Sequence, residues 1–211
     1  MQLRKPIGLG LFVALMAMAF AALPAMASAA NVTLHENTAG GAALAVGAPI
    51  KGFSTNLKFK TTEITLECGE SEVKGTVATN SAEPADVSLT EGRFQSGGGA
   101  CKTSNPLVFA DITPEGLPWR IHFFANGTTK ITGAKFKATL TSGGISIKTC
   151  VYEKAEIADT FNFNAALIDT ITNQVLNLNV AQSSATCPAT GELSGSFSVT
   201  SGGNAVVATT P

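Results

Sequence analysis

Beyond residue 30 the chain is built from short runs in which apolar and polar residues alternate, and this period of two constrains the fold more than any other feature. Such runs include "FSTNLKFK", "EITLEC", "EVKGTVAT", "PWRIHFFA", "ISIKTCVY", "VLNLNVA" and "LSGSFSVT". In an extended strand successive side chains point to opposite faces, so alternation describes strands with one buried face and one wet face. Turn-forming clusters such as "SGGGACKTSNP", "NGTT", "TSGG" and "SGGN" separate the runs. Many short strands at this spacing, with no helical periodicity between them, predict an all-β antiparallel β-sandwich of immunoglobulin-like or jelly-roll-like type.

The first 29 residues read differently. Arg4 and Lys5 precede an apolar run from Ile7 to Leu23, which ends in the small-residue stretch "PAMASAA". That order of charge, apolar core and A-x-A site is the pattern of a secretory signal peptide, with a helical core, cleaved after Ala27, Ala29 or Ala30. Pro24 and the small residues after it argue against a spanning helix, so no membrane span is expected after cleavage. The expected organisation is a signal peptide over 1–29 and one secreted β domain over 30–211. A faint likeness between "KFKTTEITLEC" and "KFKATLTSGGISIKTC" suggests the alternative of two packed β modules, 30–115 and 116–211.

Charge narrows the partners. Removing Arg4 and Lys5 from the 14 basic residues leaves 12 against 15 acids, a net charge of −3. That balance gives no electrostatic reason to bind nucleic acid or an anionic membrane. Four cysteines remain, Cys68, Cys101, Cys150 and Cys187, and an even number in an exported chain is read as disulfides. Three connectivities are open. Sequential pairing, Cys68 with Cys101 and Cys150 with Cys187, is favoured because each bond closes a loop around neighbouring strands. Tyr152, two residues after Cys150, shares its strand face and is expected to pack beside the disulfide.

Catalytic and metal signatures do not assemble. "GELSGS" misses the nucleophile-elbow pattern by one position, and "SGGGACKTS" has Cys101 where a phosphate loop requires glycine. No C-x-x-C pair suggests zinc, and neither His35 nor His122 belongs to a known catalytic pattern. Glu67, Glu70 and Glu72 are the densest acids; they lack the calcium-loop pattern and read as a solvated strand. The other acids are scattered singly. No cofactor and no metal is expected.

Two stretches could meet a ligand. In "FNFNA", Phe161 and Phe163 alternate with Asn162 and Asn164; in "VLNLNV", Leu176 and Leu178 alternate with Asn177 and Asn179. Paired as a hairpin, the two stretches would line one face with four amides, which both donate and accept hydrogen bonds and suit hydroxyl-rich ligands or another protein's edge. Trp119, the lone Trp, is either a core anchor or a sugar-stacking platform.

The order of "ITLECGESEVKGTVATN", "GRFQSGGGACKTSNP", "LPWRIHF", "ITGAKFKATL", "ISIKTCVYE" and "TCPATGELSGSFSVTSGG" resembles a functionally uncharacterised family of small secreted proteins from soil actinobacteria, over about Phe53 to Gly203. The resemblance implies a disulfide-bearing, β-rich exported domain and brings no activity with it. The expected function is therefore an exported, non-catalytic structural or interaction protein of the cell envelope or extracellular space. Its partner would be cell-wall glycan or another envelope protein. The alternatives are a carbohydrate- or small-ligand-binding sandwich and, behind it, a secreted hydrolase using two carboxylates.

Overall fold

The computed structural model describes residues 30–210; the expected signal peptide lies outside the described residues. The strands in chain order are β1 (Thr33–Glu36), β2 (Pro49–Ser54), β3 (Leu57–Lys60), β4 (Thr65–Cys68), β5 (Glu70–Thr79), β6 (Ala85–Gln95), β7 (Cys101–Thr103) and β8 (Phe109–Glu115). They continue as β9 (Trp119–Phe123), β10 (Thr128–Thr132), β11 (Lys135–Ser142), β12 (Ile145–Glu153), β13 (Glu156–Phe161), β14 (Ile168–Leu178), β15 (Thr190–Ser201) and β16 (Asn204–Thr209). A single 3-10 turn, Val180–Gln182, is the only helical element among the described residues.

The all-β, antiparallel expectation holds. Hydrogen bonding makes one 16-stranded sheet in place of the two separate sheets expected of a sandwich. The ladder returns on itself twice. One circuit runs β15–β2–β5–β6–β9–β10–β13–β14 and closes through the β14–β15 pairing. The other runs β15–β3–β4–β7–β8–β11–β12–β14 and closes through the same pair. The two rings lie end to end because β14 and β15 are long enough to serve both. Ser198 of β15 faces Phe53 in the first ring, whereas Glu192 faces Lys60 in the second. Likewise Thr170 of β14 faces Thr160, and Leu178 faces Tyr152. Closure removes the unpaired edges of these fourteen strands, while β1 and β16 pair with each other outside the rings and join them through β15.

A ring of eight strands has an interior just wide enough for side chains to fill. The inward positions of the first ring carry Trp119, Phe123, Phe161, Ile157 and Phe197, and the residual void is about 50 Å³. In the second ring Leu66, Ala138 and Tyr152 leave about 30 Å³. Leu57, Phe136 and Leu193 line both voids, so the two cores are continuous.

The β5–β6 ladder shifts register at Lys74/Gly75. There a Cβ on Gly75 would lie 2.0 Å from the Ser88 carbonyl oxygen, a backbone atom held in the sheet. Gly75→Ala is therefore expected to destabilise the protein by about 3 kcal/mol, because the bulge must flatten or the strands separate. Urea denaturation of the variant checks this; an unchanged midpoint would show that the bulge relaxes freely.

Candidate functional site

Both disulfides lie in the second ring. Cys68 of β4 joins Cys101 of β7, and Cys150 of β12 joins Cys187 in the segment before β15, which is the sequential pairing favoured from spacing. There is no free cysteine among the described residues. Tyr152, two residues after Cys150, sets its ring 4.8 Å from that of Phe59, and its hydroxyl donates at 3.0 Å to the carbonyl of Pro188, the residue after Cys187. Burial, with the nearby Glu63 carboxylate, pushes the Tyr152 phenol up to about 12.

The far end of this stapled ring carries the densest group of exposed apolar side chains. Leu107, Phe109, Ile145 and Ile147 are 72%, 46%, 70% and 55% exposed. Phe109, Ile145 and Ile147 lie at the same end of neighbouring strands, with Leu107 in the loop before β8. Phe109 faces Thr141 of β11 and Thr141 faces Ser146 of β12, so Ser146 shares the face of Phe109, while its chain neighbours Ile145 and Ile147 point to the other. Cys101 faces Ala110, the residue after Phe109, so the patch stands directly on stapled strands. Isolated exposed apolar residues are ordinary; four at one end of a ring make that end the candidate contact region.

The structure divides the candidate asparagines. β13 ends at Phe161, and "NFNA" forms a turn in which Asn164 takes the left-handed conformation at φ 58. Asn162 is committed to that turn: its Nδ2 donates to Ala166 O at 2.8 Å and its Oδ1 accepts from Ile168 N–H at 2.7 Å. Asn177 is exposed on β14 opposite Thr190. Asn179 lies just beyond β14 and donates to Glu153 Oε2 at 3.1 Å. Ile168 and Asn177 are nine positions apart on β14, which at strand rise is about 25–30 Å. The expected hairpin face of four amides is thus two separate pairs. Trp119 is 3% exposed, with its indole N–H donating to Glu115 O at 2.8 Å and its ring 4.8 Å from that of Phe136. It anchors the core of the first ring.

The glutamates read as a solvated strand each have a partner. Glu67 pairs with Lys58, Glu70 accepts from Gly98 N–H, and Glu72 pairs with both Lys51 and Lys74. Hydrogen bonding from Lys51 and then Lys74 holds the Glu72 carboxyl below its ordinary range. His122 gains an arrangement that local sequence could not reveal. Its Nδ1 lies 2.7 Å from Asp86 Oδ1, and its Nε2 lies 3.3 Å from Thr132 Oγ1. The order of carboxylate, imidazole and hydroxyl is that of a nucleophile relay. Here it stands on the outer wall of paired strands, where β9 lies between β6 and β10 and its amides are committed to the ladder. As placed, the trio ties three neighbouring strands together.

Inside the first ring the structure brings two acids together. β13 buries Ile157, Asp159 and Phe161 in one phase, and β14 buries Asp169 and Ile171. Thr129 of β10 is also buried and donates its hydroxyl to Asp169 Oδ1 at 2.7 Å. Asp159 is 4% exposed, and neither carboxylate oxygen has a hydrogen-bond partner among the described residues. Burial and then the Asp169 charge push the Asp159 carboxyl up to about 8, against a smaller opposing pull from Lys154. Burial pushes Asp169 up to about 6, opposed by the Thr129 hydrogen bond. The signal was present in the sequence, since "EIADTF" sets an acid in phase with Ile157 and Phe161. Reading the acids as scattered missed it.

These features define a class: an all-β, antiparallel protein closed into two rings, with two disulfides in one ring and a buried acid pair in the other. The chain matches no family profile, no curated protein and no solved structure.

Proposed function

We propose that this protein is an exported, non-catalytic interaction module of the cell envelope or extracellular space, one of the small secreted actinobacterial proteins whose motif order it resembles. Its contact is with another exported protein, through Leu107, Phe109, Ile145 and Ile147. The observation that carries this reading is the exposure of those four side chains at one end of the ring that holds both disulfides. Rigid presentation lowers the ordering cost of association. Three of the four side chains are aliphatic; they bury well against a protein and offer nothing to the hydroxyls of a glycan, which favours a protein partner. Two disulfides fit an oxidising compartment, and no helix among the described residues is long and apolar enough to cross a membrane.

The test is retention of the purified, oxidised protein on the envelope fraction of its source, compared with a variant carrying Leu107→Ser, Phe109→Ser, Ile145→Ser and Ile147→Ser. These positions are exposed, so the variant is expected to keep the wild-type circular dichroism and melting temperature while losing at least tenfold in retention of a defined protein partner. Equal retention of both proteins rejects the reading. Retention of polysaccharide alone favours a carbohydrate-binding function instead.

A further inference from the structure

We propose that Asp159, Asp169 and Thr129 form a binding site for one hard divalent cation of the calcium class, set in the wall of the first ring. The geometry begins with register. Asp159 faces Thr129 directly across β10–β13, and Asp169 faces Phe161 across β13–β14. Asp159 and Asp169 are therefore diagonal neighbours on one face, with Cα atoms about 7–8 Å apart and side chains pointing to the same side. The hydrogen bond from Thr129 to Asp169 spans β13, so the Asp169 carboxylate reaches across the strand that carries Asp159.

Asp159 supplies the observation that requires a partner. It is buried, and both of its oxygens are unpaired among the described residues. A buried carboxylate without hydrogen bonds or a counter-charge is among the least favourable groups a folded chain can hold. The basic groups on the neighbouring elements are engaged elsewhere. Lys154, just before β13, donates to Gln174 Oε1 at 2.8 Å, and Lys130 of β10 pairs with Glu156 of β13 at 3.1 Å on the outer wall. A cation would neutralise both acids at once.

There is also a way in. β13 and β14 pair only at Thr160/Thr170 and Phe161/Asp169, and β14 then bulges between Ile171 and Gln174. The seam opens a groove of about 400 Å³ lined by Thr128, Lys130, Thr170 and Gln174, with Asp159 and Thr129 in its wall; Asp169 faces the core void of the ring. The Asp159 oxygens are closed to this groove as placed, so a cation and the waters that complete its shell enter as the weakly paired seam parts. The donors are oxygens alone, without imidazole or thiolate, which suits calcium rather than zinc. Calcium tolerates an irregular shell that combines carboxylates, a hydroxyl and water better than magnesium does.

The experiment uses the purified protein, stripped with chelator and titrated with calcium chloride at physiological ionic strength, read by calorimetry and by melting temperature. One site per chain and a rise of about 4 °C or more at saturating calcium are expected, with a smaller response to magnesium. Asp159→Asn and Asp169→Asn should each weaken calcium binding at least tenfold. Both replacements are close in shape and take an ionisable group out of the interior, so the variants should fold. Thr129→Val, which keeps both acids, should weaken it less. Glu91→Gln, at an exposed position, should change nothing. No binding to the wild type, or identical binding by wild type and Asp159→Asn, overturns the proposal. In the first case the acids hold protons alone; in the second the ion sits elsewhere.

Discussion

In chelator-containing buffer, the protein is expected to lose up to about 5 kcal/mol of stability as pH rises from about 4 to about 8. The cause is Asp159. In the unfolded chain its carboxyl titrates near the ordinary aspartate value of about 4. In the fold, burial and then Asp169 hold it protonated up to about 8. Between those two values the folded state binds the extra proton. Stability is therefore fully present below the unfolded value, declines through the window and levels off above the folded one. Asp169, raised to about 6, contributes in the same direction, although the two sites interact and their contributions do not add. Glu72 acts in the opposite sense: its pKa is lowered, so its contribution is lost only as pH falls through the folded value, and its lysine partners are exposed and screened. Urea denaturation at a series of pH values measures the slope. Asp159→Asn should flatten most of it and make the protein more stable than wild type near pH 8. A wild-type curve that is flat or rises with pH would show that the carboxylate finds a counter-charge in the fold.

The second large effect concerns the staples. Replacing Cys150 and Cys187 with alanine is expected to cost about 4 kcal/mol, since the bond closes a loop of 37 residues. Losing the Cys68–Cys101 bond, with a separation of 33, should cost about as much. The loss should be local before it is global. The second ring relies on β3 and β4 of four residues each and β7 of three, so few ladder bonds and few buried side chains hold it once the sulfurs part. The first ring keeps Trp119, Phe123, Phe161 and Phe197 without any disulfide. Hydrogen exchange on reduced protein should show lost protection in β4, β7 and β12 while β9 and β10 stay protected. Simultaneous loss in both rings would show that they unfold as one unit.

Much of the site was within reach of the sequence, and the misses have physical causes. In "VLNLNV" the buried Leu176 beside the exposed Asn177 follows the alternation closely. In "FNFNA" the same alternation failed, because Asn164 enters the left-handed region and turns the chain where a strand was expected. Asparagine tolerates that conformation, and its presence after Phe163 was a turn signal outweighed by the period of two. The Asp86–His122 pair is 36 residues apart in sequence and meets only because β6 and β9 are neighbours. The apolar end of the second ring comes from a loop residue, a strand start and a hairpin tip that look unrelated in one dimension.

The sequence by itself determined that the chain is all-β and which side chains within most strands turn inward; it favoured the sequential cysteine pairing but left three connectivities open. Those properties are local, arising from the pleat and from short loops. Only the tertiary structure decided which strands are neighbours: that β15 meets β2 and β3, that the ladder closes into two rings, and that Asp159 and Asp169 share an interior. Alternation tells each strand which face to bury and is silent about its partner, because backbone hydrogen bonds are alike at every rung and long-range pairing is selected by how the assembled side chains fill a common core.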